Sequence, residues 1–140
     1  MDFKNIHIGS LIQKRVAESG IEMSRICNFM KCSEEKIDDI YRSEAIGTKE
    51  LLKWSKLLEY DFFRMYTQHL ILYAPPSAQS KNPEKKTSLP LFRMNIYSRE
   101  IIDFIIELIS TGAKTKAEVI KKYGIPKTTL YKWLRKYENP

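Results

Sequence analysis

Residues 115–134 read Thr115-Lys116-Ala117-Glu118-Val119-Ile120-Lys121-Lys122-Tyr123-Gly124-Ile125-Pro126-Lys127-Thr128-Thr129-Leu130-Tyr131-Lys132-Trp133-Leu134. That order of residues spells two helices and a tight turn. Thr115 followed three positions later by Glu118 is a capping box, in which the threonine oxygen accepts an amide and the carboxylate reaches back to another. Gly124 tolerates a positive φ and closes the first helix. Ile125-Pro126 then leads into a second helix over Lys127–Tyr137, proline suiting a first helical position. At about 100° per residue, Leu130, Trp133, Leu134 and Tyr137 share one face. Thr128, Lys132 and Arg135 fall on the opposite face, flanked by Tyr131 and Lys136, with Lys127 at the exposed tip. Upstream, Ser98 caps a helix running through Ser110, whose buried stripe is Ile101, Ile105, Leu108 and Ile109, and Gly112 ends it. Three helices with a tight turn between the last two make a helix-turn-helix module over residues 91–140.

Working outward, Ala74–Pro90 holds four of the chain's six prolines and almost no large apolar side chain. Proline fixes φ and lacks an amide hydrogen, so neither a helix nor an inner strand runs through such a stretch. It reads as a linker over 74–90, long enough as a flexible coil to separate its ends by roughly 20–25 Å. Residues 1–73 also read as helical, with no sustained period-2 alternation and no hairpin turn signal. Ile8, Leu11, Ile12 and Val16 keep helical spacing up to Gly20, and a short segment follows around Met23–Lys31. Ser33, Thr48 and Asp61 are candidate caps for three further helices, the last carrying Phe62 to Tyr73. The fold class is therefore all-α: a five-helix module, a proline-rich linker and a three-helix module.

The charge is unevenly shared. The 140 residues carry 24 Lys+Arg and 17 Asp+Glu, a net +7. Residues 1–73 sum to zero, so the whole excess lies in the second half. Within Gly112–Tyr137 eight basic residues face one acid, Glu118. A basic patch on a small module points to a polyanion. An α-helix fits the major groove, and the exposed side of the second helix of a helix-turn-helix is the part that enters it. On this reading Lys127, Thr128, Tyr131, Lys132, Arg135 and Lys136 meet bases and phosphates. Lys121, Lys122 and the amides at Thr115 are placed to hold the sugar–phosphate backbone.

The stretches 93–103, 112–120 and 123–134 resemble the helix-turn-helix that opens bacterial insertion-sequence transposases. The likeness covers about fifty residues and is most specific at Thr129-Leu130-Tyr131-Lys132-Trp133. It implies binding to terminal inverted repeats, beside a separate catalytic transposase subunit. Pro126 departs from the serine common in that family, and the chain is expected to be the short DNA-binding partner rather than the strand-cutting subunit. Residues 6–66 more distantly resemble phage-repressor-like helix-turn-helix domains, with Ile26-Cys27 where that family favours Leu-Ala. The matching recognition helix, Ser33–Arg42, would expose Glu34, Glu35, Asp38 and Asp39. Acids facing phosphates weaken binding, so this copy is expected to contact protein, and its aromatic Phe62–Tyr73 helix to pair copies into a homodimer.

Other chemistries find little support. Cys27 and Cys32 lie far in sequence from His7 and His69, so no zinc spacing is present. Glu100, Asp103 and Glu107 line one helix and read as a solvated face, whereas metal-assisted phosphoryl transfer gathers acids from separate elements. There is no Gly-rich phosphate loop and no nucleophile elbow. The expectation is a non-enzymatic protein without cofactor or metal. No stretch suits a membrane span, and Met1-Asp2-Phe3-Lys4 lacks a signal-peptide core, so a cytoplasmic location is expected. Three functions stay open: a transposition-associated DNA-binding protein, a transcriptional regulator using the same contacts, and a protein-interaction adaptor whose basic face is incidental.

Overall fold

The computed structural model describes residues 1–75, 87–90 and 96–138, and in it the described chain is all-helical. The helices are α1 (Ile8–Ser19), α2 (Met23–Met30), α3 (Glu34–Arg42), α4 (Thr48–Leu57), α5 (Phe63–Tyr73), α6 (Arg99–Ser110), α7 (Lys116–Tyr123) and α8 (Lys127–Trp133), followed by a π-helical turn, Leu134–Glu138. Most of the stretch read as a linker (76–86) and the expected start of the second module (91–95) lie outside the described residues. The chain divides into two compact units, Asp2–Tyr66 and Thr67–Pro140. The division falls inside α5, ahead of the Tyr73 boundary expected from sequence.

The first unit packs α1 to α4 around Ile8, Ile12, Ile26, Ile37, Trp54 and Phe62, all essentially without solvent contact. Tyr41 leans on Trp54, ring centroids 6.2 Å apart. Its tightest joint is between α1 and the end of α3. The amides of Ile8 and Gly9 donate to the carbonyls of Glu44 (3.2 Å) and Ser43 (3.1 Å), so the first turn of one helix finds its acceptors just past the end of another. Gly9 is buried there.

Local chemistry explains most boundaries. Ser33 Oγ accepts from the Lys36 amide at 3.3 Å, as its residue type predicts. Asp61 Oδ1 takes the Phe63 amide at 3.1 Å, leaving Phe62 just outside α5 and buried. α2 ends with Lys31 at φ 55, ψ 48, where the Cys32 amide donates back to the Cys27 carbonyl. Thr48 is not a cap. Gly47 occupies that position without a side-chain bond, and Thr48 is the first helical residue. His7 caps α1, its Nδ1 accepting from the Ser10 amide at 3.2 Å, a role that the sequence reading missed.

The second unit is built on α6, α7 and α8. Ile101, Ile105, Val119, Ile125 and Leu130 are fully buried, with Ile102, Tyr123, Trp133 and Leu134 nearly so. Leu108 and Ile109, expected on the buried stripe, are only half-buried, and Ile102 takes their place. The C-terminal part of α5 belongs to this unit. Gln68, buried, receives the Ser98 amide on its side-chain oxygen (3.2 Å) and donates to the Ile96 carbonyl (3.4 Å). A side-chain amide thus pairs with the segment leading into α6 much as a peptide group would.

Candidate nucleic-acid interface

The candidate interface begins with the capping box. The Glu118 amide donates to Thr115 Oγ1 at 3.2 Å, and the Thr115 amide donates to Glu118 Oε2 at 2.7 Å. Gly124 sits at φ 63 and closes α7 through its amide to the Ile120 carbonyl. Pro126 is the N-cap of α8, which starts at Lys127 as expected, with φ −58 and ψ 137. The residue preceding a helix can be extended, and proline accommodates that without an amide to satisfy. Its carbonyl accepts the Leu130 amide. The turn 124–126 therefore joins α7 to α8 through backbone bonds at its ends and the buried Ile125 side chain between them.

On α8 the inward side is Leu130 and Trp133, with Leu134 following. Trp133 and Tyr97 meet nearly at right angles, ring centroids 4.8 Å apart at 81°, and burial pushes the Tyr97 phenol above its ordinary pKa. Lys127, Thr128, Tyr131 and Lys132 are exposed, as are Arg135 and Lys136 in the π turn. The regular α-helix was expected to reach Tyr137. It widens after Trp133 instead, and Trp133 and Leu134 both stay buried while Tyr137, half-buried, meets the Arg99 guanidinium at 3.9 Å from its ring centre. A π turn adds a residue per hydrogen-bonded ring, so a helix can keep two adjacent apolar residues inward. Arg99 is also paired with Asp103 at 2.9 Å.

On α7, Lys121 and Lys122 are exposed. Thr115 is exposed too, but its amide and hydroxyl oxygen are engaged within the box, so the Thr115 amide offered to phosphate by the sequence reading is already occupied by a carboxylate. Lys116 was not among the expected contacts. The structure brings its ammonium to 5.2 Å from the Tyr131 ring centre, with that of Lys127 at 5.7 Å from the same ring. Nothing in the periodicity of a single helix carries that meeting, because it depends on how two helices cross. Among the described residues, no carboxylate forms an ion pair with any lysine of this unit.

The Thr115 amide holds the Glu118 carboxyl below its usual range. A carboxyl with a lowered folded value contributes stability that is present above the unfolded value and lost as pH falls through the folded one. Acidification below the ordinary carboxylate range is therefore expected to loosen α7. Glu118→Gln should flatten the pH dependence of this unit's unfolding midpoint over that window, and an unchanged dependence would remove Glu118 as its source.

The acids on α6, Glu100, Asp103 and Glu107, are exposed, and among the described residues no group of His, Cys, Asp and Glu is arranged to hold a metal ion. Cys27 and Cys32 are free and half-buried; burial, then the neighbouring Cys27, push the Cys32 thiol up. No described helix is long and apolar enough to cross a membrane. Comparison with protein-family models, with curated proteins and with solved structures finds no match to this chain.

Proposed function

We propose that the second unit binds double-stranded DNA in a sequence-specific manner, laying α8 in the major groove, and that the protein serves transposition by reading terminal repeats. One observation carries the DNA reading. Thr128 and Lys132 face solvent on a helix whose Leu130 and Trp133 are buried, within a stretch, Gly112–Tyr137, that holds eight basic residues and one acid. Lys132 and Arg135 can donate to guanine or phosphate, and the Thr128 methyl can meet a thymine methyl. Lys121 and Lys122 supply sequence-independent attraction. The link to transposition rests on the resemblance of residues 93–134 to the transposase module. It implies a separate catalytic subunit as partner and no catalytic step, cofactor or metal of the chain's own.

The first unit is assigned to protein contact. Glu34, Glu35, Asp38 and Asp39 are all exposed on α3 and would repel phosphates. On α5, Tyr66 at the end of the first unit keeps 37% of its surface exposed, and Leu70, already in the second, keeps 58%, which supports pairing of two copies through that helix. Sedimentation returning a monomer at tens of micromolar, with and without DNA, would exclude the pairing.

The test is a gel-shift titration of the full chain against salt. With about five phosphates neutralised, log K should fall with log[salt] at a slope of roughly −4 to −5. Lys132→Ala should cost about 1–3 kcal/mol on the preferred site and relax its specificity, while Lys121→Ala weakens all sequences alike. Absence of duplex binding at low salt leaves the adaptor reading. A neighbouring catalytic frame with flanking inverted repeats favours transposition; their absence favours a transcriptional regulator using the same contacts.

A further inference from the structure

We propose that Lys116, Lys127 and Tyr131 form one phosphate grip, in which two ammonium groups share a single phosphodiester of the duplex and the tyrosine ring gathers them. This rests on the DNA-binding reading and goes beyond it, since Lys116 lies outside the face that the helix periodicity selects.

Tyr131 is 40% exposed, a large aromatic surface to leave in water in the middle of a basic face. Lys116 comes from the first turn of α7 and Lys127 from the first turn of α8. Both reach toward the one ring, at 5.2 and 5.7 Å, so their charges are no farther apart than the sum of those distances. The negative face of an aromatic ring attracts each cation, but it does not neutralise two. Among the described residues neither lysine has a carboxylate partner. The nearest acid along α7, Glu118, is tied back to the Thr115 amide. Two like charges drawn to one ring without a counter-ion favour an anion that both can reach. Thr128 and Lys132, one turn before and one residue after Tyr131, put that anion beside the groove-facing surface.

The experiment is fluorescence anisotropy of the full chain on a short labelled duplex of random sequence, titrated with salt. A shared phosphate predicts that Lys116→Gln and Lys127→Gln each leave the salt slope nearly unchanged, and that the double variant makes it shallower by about 0.9. Two separate phosphates would change the slope by about 0.9 in each single variant and about 1.8 in the double, which overturns the sharing; no change in the double variant overturns the contact altogether. Tyr131→Phe should bind within twofold of the parent and Tyr131→Leu several-fold more weakly, with thermal midpoints matched. Equal binding by both variants, or equal loss, removes the ring from the grip. If the parent itself shows no salt-dependent binding, the DNA reading fails before this inference is reached.

Discussion

Trp133→Ala is expected to unfold the second unit at ordinary temperatures while the first remains folded. The indole is 7% exposed, meets the Tyr97 ring nearly at right angles and lies between the buried Leu130 and Leu134 in sequence. Truncating such a side chain costs about 3–5 kcal/mol, transfer and cavity together. A unit of this size holds roughly 4–10 kcal/mol in all, so most of its margin disappears. The two tryptophans make the result readable, because Trp54 is buried in the first unit and becomes the sole indole of the variant. Its emission should still report a cooperative transition near the parental midpoint, while far-ultraviolet circular dichroism loses part of its helical signal and duplex binding vanishes. A variant that keeps full helicity and binding would mean that α8 does not depend on its indole side, and the proposed docking surface would lose its basis.

Gly9→Ala should be the most damaging small substitution in the first unit. A Cβ at that position would meet the Ile40 carbonyl oxygen and lie within 2.6 Å of those of Tyr41 and Ser43. All three are backbone atoms, so no side chain can rotate away. Relief requires α1 to lift from the end of α3, and with it go the bonds from the Ile8 and Gly9 amides. Overpacking of this kind costs about 3 kcal/mol, the upper end of the usual range. Urea titration followed by Trp54 emission should show a lower midpoint with an unchanged slope. Gly47→Ser is the control, since a Cβ there meets nothing and serine can cap α4; a loss as large as that at Gly9 would refute the steric explanation.

The parts of this chain that could be read in advance are those fixed by interactions three or four residues long. Ser33, Ser98 and the Thr115–Glu118 box cap the helices they were expected to cap. The inward face of α8 follows from its periodicity, and Trp133 is where that periodicity puts it. What escaped is of two kinds. Some are local: Gly47 rather than Thr48 caps α4, and a histidine does the work of a serine at residue 7. Others join distant residues, such as Gln68 to the segment before α6 and Lys116 to Tyr131. No spacing rule announces these, because they exist only once helices have packed.

The placement of Gln68 bears on how the chain can be cut. Its amide is bonded to Ile96 and Ser98, and Leu72, a turn later, is buried in the same unit. A recombinant piece starting at residue 91 would strand the Ile96 carbonyl and Ser98 amide without these partners and uncover apolar surface. A protease nick within 76–86 would sever the covalent chain yet leave its two products clasped, co-eluting on a sizing column until denaturant parts them. Dissection of the molecule for binding work should therefore begin its second piece ahead of Thr67 rather than after the prolines.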